Sequence, residues 1–470
     1  MSGWIGAAAR RGRGEISVFV PLAGLVLACI GGGIVHGERA WAGDERDDLS
    51  AAGEERKDKD YREGWGFAGL PLANYSSDDG FGYGLKVAAY DYGKNQKPYK
   101  TQIALQLFFT TNKVMYHKLF IDMPDFRGTP WRIDGALKFD RVLLNNYFGI
   151  GNDTSTLDEG ASSDSSGLSD EESAVVANYY TSFQSQEPSL ILNLRRTIRG
   201  PVQFFNGYQV KHTIIVPHTA ETVYQYRGIE LPDDWMSYLE EEKPYGYSGG
   251  TMAYAQVGVI FDSRDQEPSP TRGLFSEFSV RGVAYRALDE QERETHAPLY
   301  GGFNLTSRHF LPVLTPRVVF ASRLVLDALL GDVPFNELAS FGGSQDYTGL
   351  GGSTSLRGIL SRRYRGHVKA IVTPELRMTP ATFYAGTQKF DIGVVVFSDL
   401  GRVWDESEAE PSSTVHWTAG GGLRIAWNDN FLIRLDVGKN IGRILELRGE
   451  EVADRDADYL GFYLVFDHAF

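Results

Sequence analysis

The chain of 470 residues carries 47 Lys and Arg against 61 Asp and Glu, for a formal net charge of −14 and a pI near 5.2. No basic face stands out, which argues against nucleic acid as a partner. Hydrophobic residues make up 42% and mean hydropathy is −0.27, with no apolar run of about 18 residues past the N-terminus, which excludes a helical membrane protein.

Aromatic residues reach 13% and glycines number 53, both high for an ordinary soluble enzyme. A transmembrane β-barrel uses both, as interfacial aromatic girdles and as points where strands bend and close.

The N-terminus reads as an export signal over residues 1–42. Arg10, Arg11 and Arg13 form a basic region, Ile16 to Val35 an apolar one, and Ala40-Trp41-Ala42 places small residues for cleavage before Gly43. Val26-Leu27-Ala28-Cys29 resembles a lipobox and is the rival processing site; Arg10-Arg11 as a twin-arginine signal is weaker. Cys29 is the single cysteine, so the mature protein has no disulfide and no thiolate metal site. Residues 43–64 are charged and without periodicity, and read as a disordered periplasmic leader.

From Trp65 to Phe470 the texture is that of strands. Segments of about 8 to 14 residues alternate apolar with polar side chains, separated by Gly, Asn, Asp and Pro. The last four are clearest. Phe390, Ile392, Val394 and Val396 oppose Asp391, Gly393, Phe397 and Asp399. Trp417, Ala419, Leu423 and Ile425 oppose Thr418, Gly420, Gly422 and Arg424. Phe431, Ile433, Leu435 and Val437 oppose Leu432, Arg434, Asp436 and Gly438. Leu460, Phe462, Leu464, Phe466 and the terminal Phe470 oppose Gly461, Tyr463 and Asp467. Phe462, Phe466 and Phe470 thus form the C-terminal barrel signal.

Connections alternate between short and long. Short turns are expected near Gly93–Pro98, Pro124–Pro130, Arg199–Pro201, Ser263–Pro270, Pro312–Pro316 and Asn428–Asn430. Long loops are expected near Gly151–Ser173, Pro217–Ser248, Arg286–Ala297, Gly331–Gly366 and Asn440–Asp456. The expectation is an all-β, closed antiparallel transmembrane barrel of about 16 strands with a long in-folded loop.

Three segments resemble the BamA/TamA and two-partner-secretion superfamily of outer-membrane barrels, the bacterial surface antigen family. Gly351-Gly352-Ser353-Thr354-Ser355-Leu356-Arg357-Gly358-Ile359 is similar to the family's sixth extracellular loop, with Ile359 in place of the usual aromatic. Phe397-Ser398-Asp399-Leu400-Gly401-Arg402-Val403-Trp404 is similar to its F-x-D-x-G-x-V-W strand, and Thr373-Pro374-Glu375-Leu376-Arg377 to its acidic strand. Weaker echoes are Asp262-Ser263-Arg264-Asp265 and Tyr147-Phe148-Gly149-Ile150-Gly151-Asn152. About twenty leader residues leave no room for POTRA modules, so the resemblance is to a POTRA-less branch.

The resemblance implies that Arg357 and Gly358 at the loop tip reach into the lumen and that Arg357 bonds a carboxylate on the wall. Parity independently turns Asp399 inward with Asp391 and Gly393, and Glu375 inward with Lys369 and Arg377. A hairpin centred near Tyr384 would keep Glu375 away from Asp399, which ranks Asp399 first and Glu375 second. The role is structural or gating. The glycines Gly342-Gly343 and Gly349 to Gly352 read as loop flexibility. The acidic stretch from Asp153 to Ser173 reads as a solvated loop.

No nucleophile motif, cofactor cradle or metal-ligand spacing is present among the Ser, Asn and nine His residues. Catalytic, cofactor-binding and metal-ligating residues are therefore assigned as none, and an enzyme is not expected. The expected function is that of a Gram-negative outer-membrane barrel assisting protein or lipid insertion or transport; the alternative is a passive channel or structural barrel. Expected partners are outer-membrane lipids, lipopolysaccharide and a periplasmic protein, with the barrel a monomer.

Overall fold

The computed structural model describes residues 63–76, 79–94, 99–152, 154, 168–266, 269–344, 349–385, 388–405, 414–427, 431–444 and 459–465. Outside them lie the export signal with Cys29, most of the leader and the acidic stretch, the Asn428–Asn430 turn, and Phe466 and Phe470.

The alternating segments form sixteen strands. They are β1 (Glu63–Ser76), β2 (Gly80–Lys94), β3 (Thr101–Thr110), β4 (Met115–Met123), β5 (Trp131–Asn146), β6 (Ser182–Arg199), β7 (Val202–Pro217) and β8 (Gly249–Asp262). Then follow β9 (Gly273–Ala287), β10 (Leu299–Val313), β11 (Thr315–Leu330), β12 (Val368–Ala385), β13 (Gln388–Trp404), β14 (Val415–Trp427), β15 (Phe431–Ile444) and β16 (Leu460–Val465). β1 starts two residues before the expected boundary at Trp65. Each strand pairs antiparallel with its chain neighbours, and β16 pairs with β1 to close the barrel. Closure leaves no sheet edge, the condition for placing strands in a hydrocarbon layer. No helix among the described residues is long and apolar enough to cross a membrane.

Period-2 alternation sets the two faces. On β3, Ile103, Leu105 and Leu107 point outward, each 40% exposed, while Ala104 and Phe108 turn inward and are buried. On β9 and β10 the inward set is polar: Glu277, Ser279, Asn304, Thr306 and Arg308 are buried, and Phe278 and Val280 face out. The apolar side chains are therefore on the outside and the charges inside, the reverse of a soluble sandwich.

The barrel closes where β16 meets β1. Among the described residues Tyr75 pairs with Leu464 and Ser76 with Tyr463 across this seam, and β1 pairs with β2 from Glu63 to Ser76. Gly64, Gly66, Gly69 and Pro71 interrupt β1 and weaken it as an edge.

Short turns gather at one end, the shortest being the single residue Leu314 between β10 and β11. The other end is not plain loop, as expected, but carries short helices. α1 (Asp170–Tyr180) opens on a Ser169–Glu172 capping box. α2 (Ala220–Arg227) and α3 (Tyr238–Glu242) follow in the next loop, and α4 (Glu290–Thr295) in the one after. Val176, Tyr179, Tyr180, Val223, Ile229 and Trp235 pack as a small core of this cap. That core arises from loops far apart in sequence, and no single loop shows it.

Candidate functional site

The loop of residues 331–367 leaves the rim after β11 and folds into the lumen. Its apolar side chains meet apolar inward positions of the wall: Leu350, Leu356, Ile359 and Tyr364 pack with Val325, Ile371 and Val403. Ile359, where the resembled motif has an aromatic, is fully buried in that cluster.

The glycines here are not the flexible spacers expected. A Cβ on Gly349 would lie 2.0 Å from the Ala339 carbonyl oxygen, and Gly351, Gly352 and Gly358 hold φ of +107°, +85° and +102°. Gly401 has the same purpose from the wall side, since its missing side chain makes room for Leu350 and Leu356, whose methyls lie 3.1 and 3.0 Å from where its Cβ would be. Close approach and left-handed backbone, not mobility, explain these residues.

At the tip Arg357 is fully buried. Its Nε and Nη2 donate to the two carboxylate oxygens of Asp399 at 2.9 Å each, and its backbone N–H donates to Asp399 at 3.0 Å. Nη1 donates to Asp436 on β15 at 3.2 Å. Glu375 Oε1 lies 2.8 Å from the same Nη1 but out of hydrogen-bonding line, so that contact is one of charge. The guanidinium carbon stands 3.4 Å from the centre of the Phe397 ring. A guanidinium that cannot lose its proton is thus met by carboxylates from three strands and an aromatic face.

Around it the wall carries further cations. Arg377 donates to Glu375 at 2.8 Å, and Arg434 reaches Asp436 at 3.1 Å and the Ser353 carbonyl at 2.8 Å. Arg424 also bonds Asp436, and Arg323 donates to the Thr354 carbonyl. Gly358 N–H donates to the Tyr463 hydroxyl at 3.3 Å, which ties the loop tip to β16, the seam strand.

Two readings of the sequence need correction. The β12–β13 hairpin turns between Ala385 and Gln388, not near Tyr384, and a register shift lies between Met378 and Ala381. Glu375 therefore faces Phe397, two residues from Asp399 on the same inward face, and it does join the cluster. Asp436 escaped notice although its inward parity was legible; only the proximity of β15 to the loop tip makes it a partner.

A second clip holds the loop from the side. Asn152 is buried, accepts from Val403 N–H at 3.1 Å and donates to the Thr414 carbonyl at 3.1 Å. Gly151 N–H donates to the Arg365 carbonyl at 2.8 Å. The Tyr147–Asn152 segment thus fastens the returning arm of the loop to β13 and its neighbour. At the other end, Arg264 pairs both nitrogens with Asp262 at 2.8 and 2.7 Å, and Asp265 accepts from Thr271 N–H at 3.0 Å. That turn is self-contained and distant from the loop tip in sequence. Phe462 faces outward, 40% exposed. Among the described residues no group of three or more His, Cys, Asp or Glu is placed to hold a metal ion.

Residues 101–466 match the Omp85 superfamily domain. The fold is similar to that of CdiB from Escherichia coli, at 13% identity and a TM-score of 0.50, covering 86% of this chain and 62% of that one. It is also similar to BamA from Haemophilus ducreyi lacking POTRA domains 1–3, at 14% identity and a TM-score of 0.47, covering 86% of this chain and 70% of that one. CdiB from Acinetobacter baumannii is similar at 11% identity and a TM-score of 0.44, covering 85% of this chain and 59% of that one. The chain spans less than two thirds of either CdiB. No curated protein matches.

Proposed function

Because this chain belongs to the Omp85 superfamily, we propose that it is an outer-membrane barrel of a Gram-negative bacterium that helps insert or move protein or lipid, acting as a monomer through its β1–β16 seam. The observation that carries this reading is a locked loop beside a closing strand that Gly64, Gly66, Gly69 and Pro71 interrupt. β1 meets β16 at Tyr75 and Leu464, and the loop tip is fastened to β13, β15 and β16 beside that seam. A wall that opens sideways needs a weak joint, and an in-folded loop held by Arg357 keeps the lumen blocked and the neighbouring strands in place. Outer-membrane lipids, lipopolysaccharide and a periplasmic protein are the partners this reading calls for.

The test uses liposomes containing the full protein and a urea-unfolded β-barrel precursor, with insertion read from heat-modifiable migration. The protein should speed insertion several-fold over empty liposomes. A Tyr75→Cys/Leu464→Cys disulfide across the seam should abolish the gain, and reductant should restore it. No acceleration, together with large steady single-channel conductance, would favour the passive channel instead.

A further inference from the structure

We propose that the lumen beside the locked loop is a binding chamber for a ligand bearing two or more phosphate groups. Beside the loop lies a cavity of about 890 Å³. Its lining holds six arginines (Arg132, Arg195, Arg264, Arg281, Arg308 and Arg434) and three lysines, against the carboxylates Asp134 and Glu337 alone. The cations come from both sides of the barrel, from β5 and β6 across to β10 and β15. This stands out in a chain whose formal charge is −14.

Three of the carboxylates that balance these cations are recessed, while Asp134, Asp140, Glu187, Asp262 and Glu337 remain partly exposed beside Arg195, Lys138, Lys211 and Arg264. Asp122, Asp327 and Asp436 pair with Arg132, Arg281 and Arg434, and their side chains are 0% exposed. These pairs sit within or behind a lining of nine cations and two carboxylates, so the lining itself is cationic. Such a layered arrangement attracts over a short range and favours a compact anion that reaches the guanidinium planes.

A second observation points the same way. Arg434 is fully buried and lines the cavity, yet among the described residues its Nε and Nη2 have no hydrogen-bond partner. Arg195 Nε, also at the cavity wall, is likewise without one. Buried guanidinium N–H groups left unmet are costly, and a turn of these side chains toward an anion in the cavity supplies acceptors. Planar forks in this number suit phosphate oxygens, and their spread around the lumen suits a ligand with more than one such group.

The full protein is refolded in a zwitterionic detergent without phosphate and titrated calorimetrically with inorganic pyrophosphate at low salt. In parallel, nanodiscs of neutral lipid are doped with a lipid carrying two phosphates, and retained lipid is read by native mass spectrometry. Saturable pyrophosphate binding that weakens about ten-fold in Arg195→Gln and in Lys118→Gln, but not in Arg317→Gln on the exposed end of β11, is the expected result. Retention of the doped lipid alone, with the same variant dependence, also supports the chamber and identifies its source as a headgroup. Heat-modifiable migration checks that each variant folds, and Lys118→Gln stands in if Arg195→Gln does not. No binding in either arm, or binding indifferent to the two lumenal variants, overturns the proposal.

Discussion

Gly358 at the loop tip and Gly438 on β15 meet backbone to backbone. A Cβ on Gly358 would lie 2.6 Å from the Gly438 carbonyl carbon, and a Cβ on Gly438 would lie 2.4 Å from the Arg357 carbonyl oxygen. Neither side can give way by rotating a side chain, and Gly358 also sits at a φ of +102°. The contact fixes how deeply Arg357 enters the wall. Gly438→Ala should push the tip outward at a local cost of about 1–3 kcal/mol, the range for overpacking a close contact. Limited proteolysis of the loop in outer-membrane vesicles reads this as faster cleavage. Gly282→Ala, with open space around its Cβ position, should leave the rate unchanged.

Removing the guanidinium itself should act through Asp399. Glu375 keeps Arg377 and Asp436 keeps Arg424 and Arg434, but Asp399 loses the group that bonds both its oxygens. Arg357→Ala should therefore cost about 3 kcal/mol locally, the lower end for breaking a buried pair. Loop cleavage should rise by up to about a hundred-fold while the barrel still forms. Asp399→Ala should match it, and the double variant should be no worse than either single one. Additive effects in this double-mutant cycle would mean that the two residues act separately.

The two further carboxylates should separate. Glu375→Gln removes an attraction that lacks hydrogen-bond alignment with Arg357, so its effect on loop cleavage should be the mildest of the set. Asp436→Asn weakens the pairing of Arg357, Arg424 and Arg434 together. It should raise cleavage at least as much as Arg357→Ala and, unlike it, lower the temperature at which the barrel loses heat-modifiable migration. Cleavage no faster in Asp436→Asn than in Glu375→Gln would remove Asp436 from the lock.

The outer cap should loosen in acid. His218 is buried, its Nε2 donates to the Leu143 carbonyl at 3.1 Å, and its ring packs on Tyr179. Burial brings its pKa down to about 4 from the ordinary 6.5. Above pH 6.5 the ring is neutral in folded and unfolded states alike and pH has no effect through it. As pH falls from 6.5 toward 4, the unfolded loop takes up a proton that the folded loop refuses. The cap then loses stability, approaching about 3 kcal/mol near pH 4. Hydrogen exchange across residues 218–248, corrected for intrinsic rates, should quicken between pH 7 and 4.5. His218→Gln should remove that dependence.

The barrel was legible because its cause is local and repeated. Alternation turns Leu105 out and Ala104 in whatever lies beside them, and enough such segments with short and long connections have one closed solution. Parity by itself likewise turns Asp399, Glu375 and Asp436 inward. Which of these carboxylates meets Arg357 was decided elsewhere. The turn between Ala385 and Gln388 and the register shift after Met378 set Glu375 opposite Phe397, and a displaced turn changes every pairing along a strand. The depth of the loop rests on backbone contacts such as Gly358 against Gly438, between residues far apart in the chain. The capping core of Tyr179, Val223 and Trp235 and the cation-faced cavity have the same origin. Periodicity states which face a side chain takes, but distance across a lumen depends on closure, register and loop packing, and those are properties of the folded chain.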